Sequence, residues 1–457
     1  MKKKPLALFG GILLCVIICL LPLNGLEREG KLCLGLTLMS VVWWAGQVAQ
    51  SGYVGGIYLM LLCLLKVAEP SVIFSSWTGS TIWLVIGAYL IAAAVRNSGL
   101  GERLSYAFIL KFVRGWRSII LSIFVLTLIL SILIPHPWPR AFLIMSVMAV
   151  VIRSAAIPQK DAAIIGFTVF AASVPVSLIF MTGDATINPL AASYGGEPVS
   201  FLRWLQVMGP PAALLSVLTL ILILVLFKPS APVTIDLDEV RSARAKLGKM
   251  SRRETCTLVW IVVAVLLWIT NGVTGLDIGW ITLMIAMAMS MPVIGEVLQP
   301  KDWGEVPVHV MVFLTAAMAI GRVGAVTGMN RWIAGTLMPG SMPESPVLLG
   351  LCISVLAVVI HMFMGSVIAV MGVTIPAFLT AAQGSGISSL AVIGIVYLSV
   401  AGHYLLPFHH LNMLVGQGEE NGMYSQIETI KMSGPLLVAV FITIIAAVVW
   451  WSVLGLI

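Results

Sequence analysis

Ile134-Pro-His-Pro-Trp-Pro-Arg140 interrupts an apolar run that extends from residue 118 to residue 156. The run is too long for one membrane crossing, which takes about 20 apolar residues. The prolines in its middle cannot continue a helix. We therefore predict a re-entrant hairpin, in which two half-helices enter and leave on the same side of a membrane. Such a hairpin survives at membrane depth where protein or a watery cavity satisfies its freed backbone groups.

The same features recur later in the chain. His361-Met-Phe-Met-Gly365-Ser366 divides a second long run, 346 to 382, and predicts a second hairpin. Polar breaks interrupt two further runs, at Met181-Thr-Gly-Asp-Ala-Thr-Ile-Asn-Pro189 and at Leu406-Pro-Phe-His-His-Leu-Asn412. Adding 229 to the residue number takes the first tip, His136, to the second, Gly365. Adding 224 takes Asn188 to Asn412. The chain therefore contains two related halves.

The composition agrees with a membrane protein. Of 457 residues, 60% are hydrophobic and only 10% are charged, and the mean hydropathy is +1.06. This excludes a soluble enzyme, because an ordinary globular domain is about 25% charged. With almost no extramembrane domain, the net charge of +7 does not indicate nucleic-acid binding. The six cysteines lie in or beside apolar segments without metal-ligand spacing, as small hydrophobic residues do.

Basic residues orient the predicted helices. If both hairpins are re-entrant, eleven crossings remain, and the first apolar run is the first membrane helix rather than a cleaved signal peptide. With the N-terminus in the cytoplasm, 19 of the 26 Lys and Arg residues lie on the cytoplasmic side, as the positive-inside rule requires. Two more, Arg140 and Arg322, lie inside membrane segments, and the far side carries Arg28, Lys31, Lys66, Arg203 and Arg331.

This topology makes the two halves inverted repeats, an arrangement typical of secondary transporters that bind substrate at the membrane midplane. We predict an all-α polytopic membrane protein with the following parts: N-terminal scaffold helices, 1–75; a first repeat, 76–228, with hairpin 118–156 and broken helix 161–204; a solvated cytoplasmic linker, 229–255; connecting scaffold helices, 256–303; and a second repeat, 304–457, with hairpin 346–382 and broken helix 387–418.

Two charged residues and several histidines at the breaks are candidates for chemistry. Asp184 is the acidic residue that falls inside a membrane segment, and Arg140 is its basic counterpart. Intramembrane ionisable groups are costly and are functional candidates by default. The two could instead be structural groups, paired with each other or satisfied by the backbone. His136 lies at the first tip, His361 before the second, and His403, His409 and His410 near the last break. His361 and His403 could equally be hydrogen-bonding residues of the bundle.

The breaks together suggest an anion site. Half-helix N-termini present partial positive charge to an anion, unwound carbonyl groups can hold a cation, and Arg140 can contact a carboxylate or sulfate at two points. Zinc is not expected, since neither a thiolate nor a pair of ligands at helical spacing accompanies the histidines. The common hydrolase, metalloprotease and nucleotide-binding motifs are absent from the sequence, so we expect no enzyme.

At this point the chain resembles the divalent anion:sodium symporter family, including its dicarboxylate translocator branch, over about residues 30 to 457. The similar stretches are Asp302-Trp-Gly-Glu-Val-Pro, the Thr-Gly…Asn-Pro break at 182–189 followed by Ser200-Phe-Leu-Arg-Trp204, and the Leu-Pro…Asn break at 406–412. The resemblance implies an eleven-helix, usually dimeric elevator transporter with scaffold and transport domains. Its substrates would be dicarboxylates, tricarboxylates or sulfate, often moved with sodium.

The resemblance also implies the site. Family hairpin tips carry Ser-Asn-Thr, where this chain has His136-Pro137-Trp138 and Ser366-Val367-Ile368. The predicted substrate-binding residues are His136, Pro137, Trp138, Arg140, Thr182, Gly183, Thr186, Asn188, Gly365, Ser366, His409, His410 and Asn412. The predicted coupling residues are Asp184, Gly183, His136 and Ser366. Because the first tip lacks the family's polar triplet, we predict that sodium is dispensable; backbone carbonyls could still form a sodium site.

We therefore predict a transporter of the bacterial cytoplasmic membrane that moves a small organic or inorganic anion. Transport would be coupled to sodium or protons, or would proceed by exchange. No cofactor and no metal beyond a possible sodium ion are expected. The expected partners are the anion, the lipid bilayer and a second copy of the chain, with no nucleic acid. The alternatives are a proton or metal-cation exchanger of a related fold, and a membrane enzyme or sensor built on a transporter scaffold.

Overall fold

The computed structural model describes residues 3–230, 232, 236–337, 343, 345–364, 366–383, 386–405 and 409–457. Within these ranges the regular structure is helical, apart from one isolated bridge between Gln417 and Tyr424. Six of the described helices are long and apolar enough to cross a membrane. The predicted all-α membrane fold is confirmed, whereas the count of eleven crossings stays a prediction.

Three apolar helices and one short turn form the N-terminal part: α1 (Lys3–Leu20), α2 (Arg28–Ala45), α3 (Ser51–Leu64) and α4 (Pro70–Ile73). α2 packs between α1 and α3. The Trp43 indole N–H donates to the carbonyl oxygen of Leu8 at 3.0 Å, which fastens α2 to α1.

A first series of seven helices follows: α5 (Thr81–Ser98), α6 (Leu100–Phe112), α7 (Trp116–Leu133), α8 (Pro137–Ser154), α9 (Gln159–Val176), α10 (Ile187–Ser193) and α11 (Phe201–Leu226). A 3₁₀ turn, Met181–Asp184, lies between α9 and α10. α7 and α8 form the predicted first hairpin, and α9 and α10 form the first broken helix.

The connecting region contains α12 (Asp238–Lys246), α13 (Arg252–Thr274) and α14 (Ile278–Ala288). α12 packs against α6 and α8. Arg103 on α6 donates to Glu254 Oε1 at 2.5 Å and to the carbonyl oxygen of Gly248 at 2.9 Å. The segment that we predicted as a solvated linker is therefore held against the first series along part of its length.

A second series repeats the order of the first: α15 (Val308–Val326), α16 (Met329–Leu337), α17 (Pro346–Phe363), α18 (Val367–Ala381), α19 (Ser389–Ala401), α20 (Leu411–Val415) and α21 (Gln426–Val453). In both series a long helix and a short one precede a helix pair, a broken helix and a final long helix. The opposite membrane orientation of the two series and the domain boundaries stay predictions.

Local chemistry explains the two tips. α7 ends at Leu133 because Ile134 precedes a proline, and a residue before proline avoids helical geometry. α8 begins at Pro137, in the first turn, where proline is tolerated. His136 caps this helix by accepting a hydrogen bond from the Trp138 backbone N–H, and Ser366 caps α18 in the same way through Ala369.

The broken helices occupy the centre of the molecule. Almost every residue of α9 and α19 is buried, on all sides of the helix. α9 is flanked by α7, α8 and α11, and α19 by α17, α18 and α21. A helix that is apolar all round is expected in such a fully enclosed position.

Several boundaries differ from those predicted from hydropathy. α21 begins at Gln426 rather than at 435, because Ser425 and Glu428 form a capping box ahead of the apolar run. α14 ends at Ala288, well before 296. The short helices α6 and α16 were not predicted, since polar residues on one face lower their average hydropathy.

Candidate functional site

A cavity of about 480 Å³ lies where the hairpin tips and the breaks of both series meet the N-terminal helices. Nine of the predicted site residues line it: His136, Pro137, Trp138, Asp184, Thr186, Ser366, His409, His410 and Asn412. The structure does not place four others on its wall, namely Arg140, Thr182, Gly183 and Asn188, all of which are buried. Gly365 lies outside the described residues. Segments more than 200 residues apart in the sequence thus contribute to one space.

His136 is fixed in the wall of the cavity at the first tip. Its Nε2 atom lies 2.7 Å from the Tyr89 hydroxyl, and its Nδ1 atom accepts from the Trp138 N–H at 3.3 Å. The imidazole also packs against the Tyr89 and Trp138 rings, at centroid distances of 4.5 and 5.5 Å. Both ring nitrogens therefore have partners, one on α5 and one at the tip itself.

Arg140 joins the first tip to the first break. Its Nη1 atom donates to the carbonyl oxygens of Ile134 at 3.1 Å and Gly183 at 3.0 Å, and its Nη2 atom donates to the Ser177 hydroxyl at 2.5 Å. The side chain has no exposed surface. The guanidinium is thus a charged hydrogen-bond donor for backbone carbonyls that no helix satisfies. Direct contact between Arg140 and a substrate stays a prediction.

Asp184 presents a carboxylate at the cavity wall. Its Oδ1 atom accepts from the backbone N–H groups of Thr186 at 3.0 Å and Ile187 at 3.1 Å. Among the ion pairs between described residues, none joins it to Arg140. The two groups therefore form no direct salt bridge. Both bond instead to backbone groups, Arg140 from α8 and Asp184 within the break, as the backbone-satisfied alternative expected.

The two break asparagines each bind across to the other series. Asn188 donates to the carbonyl oxygens of Ser177 and Phe180, both at 2.8 Å, and accepts from the Tyr397 hydroxyl of α19 at 2.5 Å. Asn412 donates to the carbonyl oxygen of Phe170 on α9 at 2.9 Å. The asparagines aligned by the sequence offset thus each join the break of one series to the long helix, α19 or α9, of the other. Asn412 also lines the cavity.

The opposite wall of the cavity was missed by the sequence analysis. It consists of Lys4 at the start of α1, residues 44, 47 and 49–51 from the end of α2 to the start of α3, and residues 309, 310 and 313 at the start of α15. Gln47, Gln50 and Pro307 do lie in or beside these segments. They separate whole apolar runs rather than interrupt one, so they did not indicate a site, and the basic N-terminus was taken as evidence of orientation.

Three histidines form a cluster behind the second break. The ring centroid of His361 lies 5.0 Å from that of His403 and 4.5 Å from that of His409, and the His403 and His409 centroids are 5.7 Å apart. All three side chains are fully buried. Of the three, His409 also lines the cavity. The sequence placed these residues near the second tip and the last break but did not show that they meet.

Comparison with known families identifies the chain. The profile of the family described as "sodium:sulfate symporter transmembrane region" matches residues 2–457. The chain belongs to this family. The resemblance stated from the breaks is thereby confirmed.

Relatives of this member of the sodium:sulfate symporter family are named as transporters. The putative malate transporter YflS of Bacillus subtilis is 23% identical over 56% of this chain and 55% of its own length. The chloroplastic dicarboxylate transporter 1 of Spinacia oleracea is 26% identical over 60% of this chain and 50% of its own. The citrate/succinate antiporter of Escherichia coli is 22% identical over 60% and 59%. The chain thus matches about half the length of these relatives.

A solved structure has a similar fold. The YdaH transporter of Alcanivorax borkumensis, described as having an unusual topology, superposes with a TM-score of 0.52, covering 94% of this chain and 97% of its own, at 15% identity. At this identity the likeness concerns the fold alone. Together with the apolar helices, it supports the assignment of this sodium:sulfate symporter family member as a multi-pass membrane protein.

Proposed function

We propose that the protein is a secondary transporter that moves a small anion, of the di- or tricarboxylate or sulfate class, by an elevator mechanism. The observation that carries the proposal is the cavity shared by both tips and both breaks. Its volume of about 480 Å³ suits a small ligand. The membership of the sodium:sulfate symporter family and the names of the relatives support the same class of substrate.

The electrostatics of the cavity favour an anion. The N-termini of α8 and α18 both reach it, through Pro137 and Val367. Each helix has enough turns to concentrate partial positive charge at that end. At α8 this charge acts without free N–H donors, because Pro137 and Pro139 have none and the Trp138 N–H is bound by His136. Lys4 adds a cation to the opposite wall. Of the cavity's lining residues, Asp184 alone carries a carboxylate.

We propose that the Arg140 guanidinium takes the place of a bound sodium ion at the first break. Unwound carbonyls in transporter breaks commonly coordinate sodium, and here the guanidinium already binds the carbonyls of Ile134 and Gly183. A sodium ion in that place would meet a fixed positive charge. We therefore assign no sodium site to this break. We propose that transport is independent of sodium and proceeds by exchange or with protons carried by Asp184.

The elevator mechanism assigns different parts to the two walls. The wall with the tips and breaks moves with the substrate, whereas the wall formed by α1–α3 and α15 stays fixed in a homodimer. With the N-terminus in the cytoplasm, the ends of α1, α2, α3 and α15 at the cavity lie on the cytoplasmic side. The arrangement described is then the inward-facing one.

Counterflow tests the proposal. Purified protein is reconstituted into liposomes loaded with an unlabelled dicarboxylate, and labelled succinate, malate, citrate and sulfate are offered outside in turn. We expect accumulation of at least one label above that in protein-free liposomes, abolished when the internal anion is omitted. Counterflow of none of the four anions, with proton or metal-cation exchange in the same vesicles, would favour the cation exchanger instead.

A further inference from the structure

The histidine cluster is formed by three separate segments. His361 lies in the last turn of α17, His403 just beyond α19 and His409 just before α20. Each offers one ring nitrogen within 4.8 Å of the nitrogens of the other two. From this the geometry points to a binding site for a divalent transition-metal ion, such as zinc, with the three imidazoles as ligands.

Ring nitrogens of two members of the cluster, His361 and His403, are poorly satisfied without a ligand. Neither ring nitrogen of His361 makes a hydrogen bond of normal geometry to a described residue, and the same holds for Nε2 of His403. Buried polar groups normally have partners, so exceptions of this kind require an explanation. His136 shows the contrast, because both of its nitrogens are occupied by Tyr89 and Trp138.

The donor set selects the class of metal. Imidazole nitrogen suits zinc, copper, nickel and cobalt, whereas sodium, magnesium and calcium prefer oxygen. Among the described residues the cluster includes no carboxylate and no thiolate. Neutral imidazoles leave the full charge of the ion uncompensated, and three ligands leave a coordination position open.

Binding requires a small closure of the cluster. Nitrogens bound to zinc at about 2.0–2.1 Å in a tetrahedral site lie roughly 3.4 Å apart, so the rings must approach by side-chain rotation. One contact must also change, because Nδ1 of His403 accepts from the Leu405 N–H at 3.3 Å. This bond is long. It is given up when Nε2 becomes a ligand and the remaining proton moves to Nδ1.

The site would place the metal next to the cavity. His409 belongs both to the cluster and to the cavity wall, so a bound ion would add fixed positive charge behind the second break. This consequence for anion binding rests on the proposed function. The metal site itself does not, and it is tested without any anion.

The test uses full-length protein purified without a polyhistidine tag, stripped with a chelator and titrated with Zn²⁺ and Co²⁺. We expect saturable binding of about one ion per chain, and Co²⁺ absorption bands of a nitrogen-ligated, four-coordinate site. His361→Ala and His403→Ala should lose this binding. His309→Ala is the matched control and should retain it, because His309 is exposed and is not part of the cluster.

Two results would contradict the proposed metal site. The first is wild-type protein that binds neither ion saturably, and the second is His361→Ala protein that binds as the wild type does. The cobalt spectrum of the wild type keeps the test decisive if a variant fails to fold. Counterflow is measured separately, so a failure of anion transport leaves the metal result standing.

Discussion

At the scale of single residues, Arg140 is the side chain on which the account depends most. Its guanidinium is buried and connects the first tip to the first break through Ile134, Gly183 and Ser177. Removing it leaves three acceptors without a donor, and a buried group left unpaired costs about 1–3 kcal/mol, or more where a charge is lost. Lysine keeps the charge but cannot bridge separate acceptors with a planar fork.

We therefore expect Arg140→Ala to abolish substrate binding and counterflow, and Arg140→Lys to be poor. Labelled-anion binding and counterflow measure both effects. Arg203→Ala is the control, since Arg203 bonds to the neighbouring Gln206 side chain rather than at the cavity. Wild-type affinity in Arg140→Ala would remove Arg140 from the mechanism.

The sequence predicted well which segments form the site. It predicted less well which side chains face the cavity. Prolines and polar residues mark the breaks because they interrupt helical hydrogen bonding, so His136, Asp184 and Asn412 could be found on the cavity. The direction of Arg140 could not, since it depends on how α8 is rotated against α9. The metal cluster could not be seen either, because its ligands come from three segments with no common spacing.

At the scale of elements, two hydrogen bonds between the broken helices, which we call the crossing bonds, hold the site together. Tyr397 on α19 donates to Asn188, and Asn412 donates to α9 through the carbonyl of Phe170. Each bond is made between a break of one series and a helix of the other. The crossing bonds therefore link the two series beside the cavity.

We expect Asn188→Ala and Tyr397→Phe to destabilise the protein by about 1–3 kcal/mol each, because each leaves a buried polar group unpaired. Asn412→Ala should weaken anion binding as well, because Asn412 lines the cavity. Neither asparagine variant should impair binding as severely as Arg140→Ala. Thermal unfolding in detergent and anion-binding titration separate the two effects. Equal melting temperatures for wild type and Tyr397→Phe would show that the crossing bond contributes little.

The helix boundaries show which parts of a helix hydropathy predicts and which it misses. It located the apolar cores of the long helices, since burial and membrane exposure both select apolar residues. It missed α6, α12 and α16, whose charged or polar faces lower the average, and it placed the start of α21 too late because capping residues are polar. Such ends are fixed by local hydrogen bonds rather than by transfer to an apolar phase.

At the scale of the whole molecule, orientation in the membrane follows from how many segments cross. Two re-entrant hairpins and eleven crossings place the two ends of the chain on opposite sides. We expect a reporter fused after Ile457 to lie outside the cytoplasm, and one inserted after Lys249 to lie inside. Green fluorescent protein and alkaline phosphatase fusions report the two locations. A cytoplasmic C-terminus would mean that a hairpin crosses, and the two series would not be inverted repeats.

Sodium-independent anion transport is the central claim, and uptake with sodium replaced by choline tests it most directly. Labelled dicarboxylate uptake into proteoliposomes is measured at several pH values, for wild type and for Asp184→Asn. We expect wild-type uptake to persist without sodium and to rise as the external pH falls, because Asp184 is the carboxylate on the cavity wall that can carry a proton. Asp184→Asn should lose the pH response. Strict sodium dependence with a flat pH profile in the wild type would contradict the account.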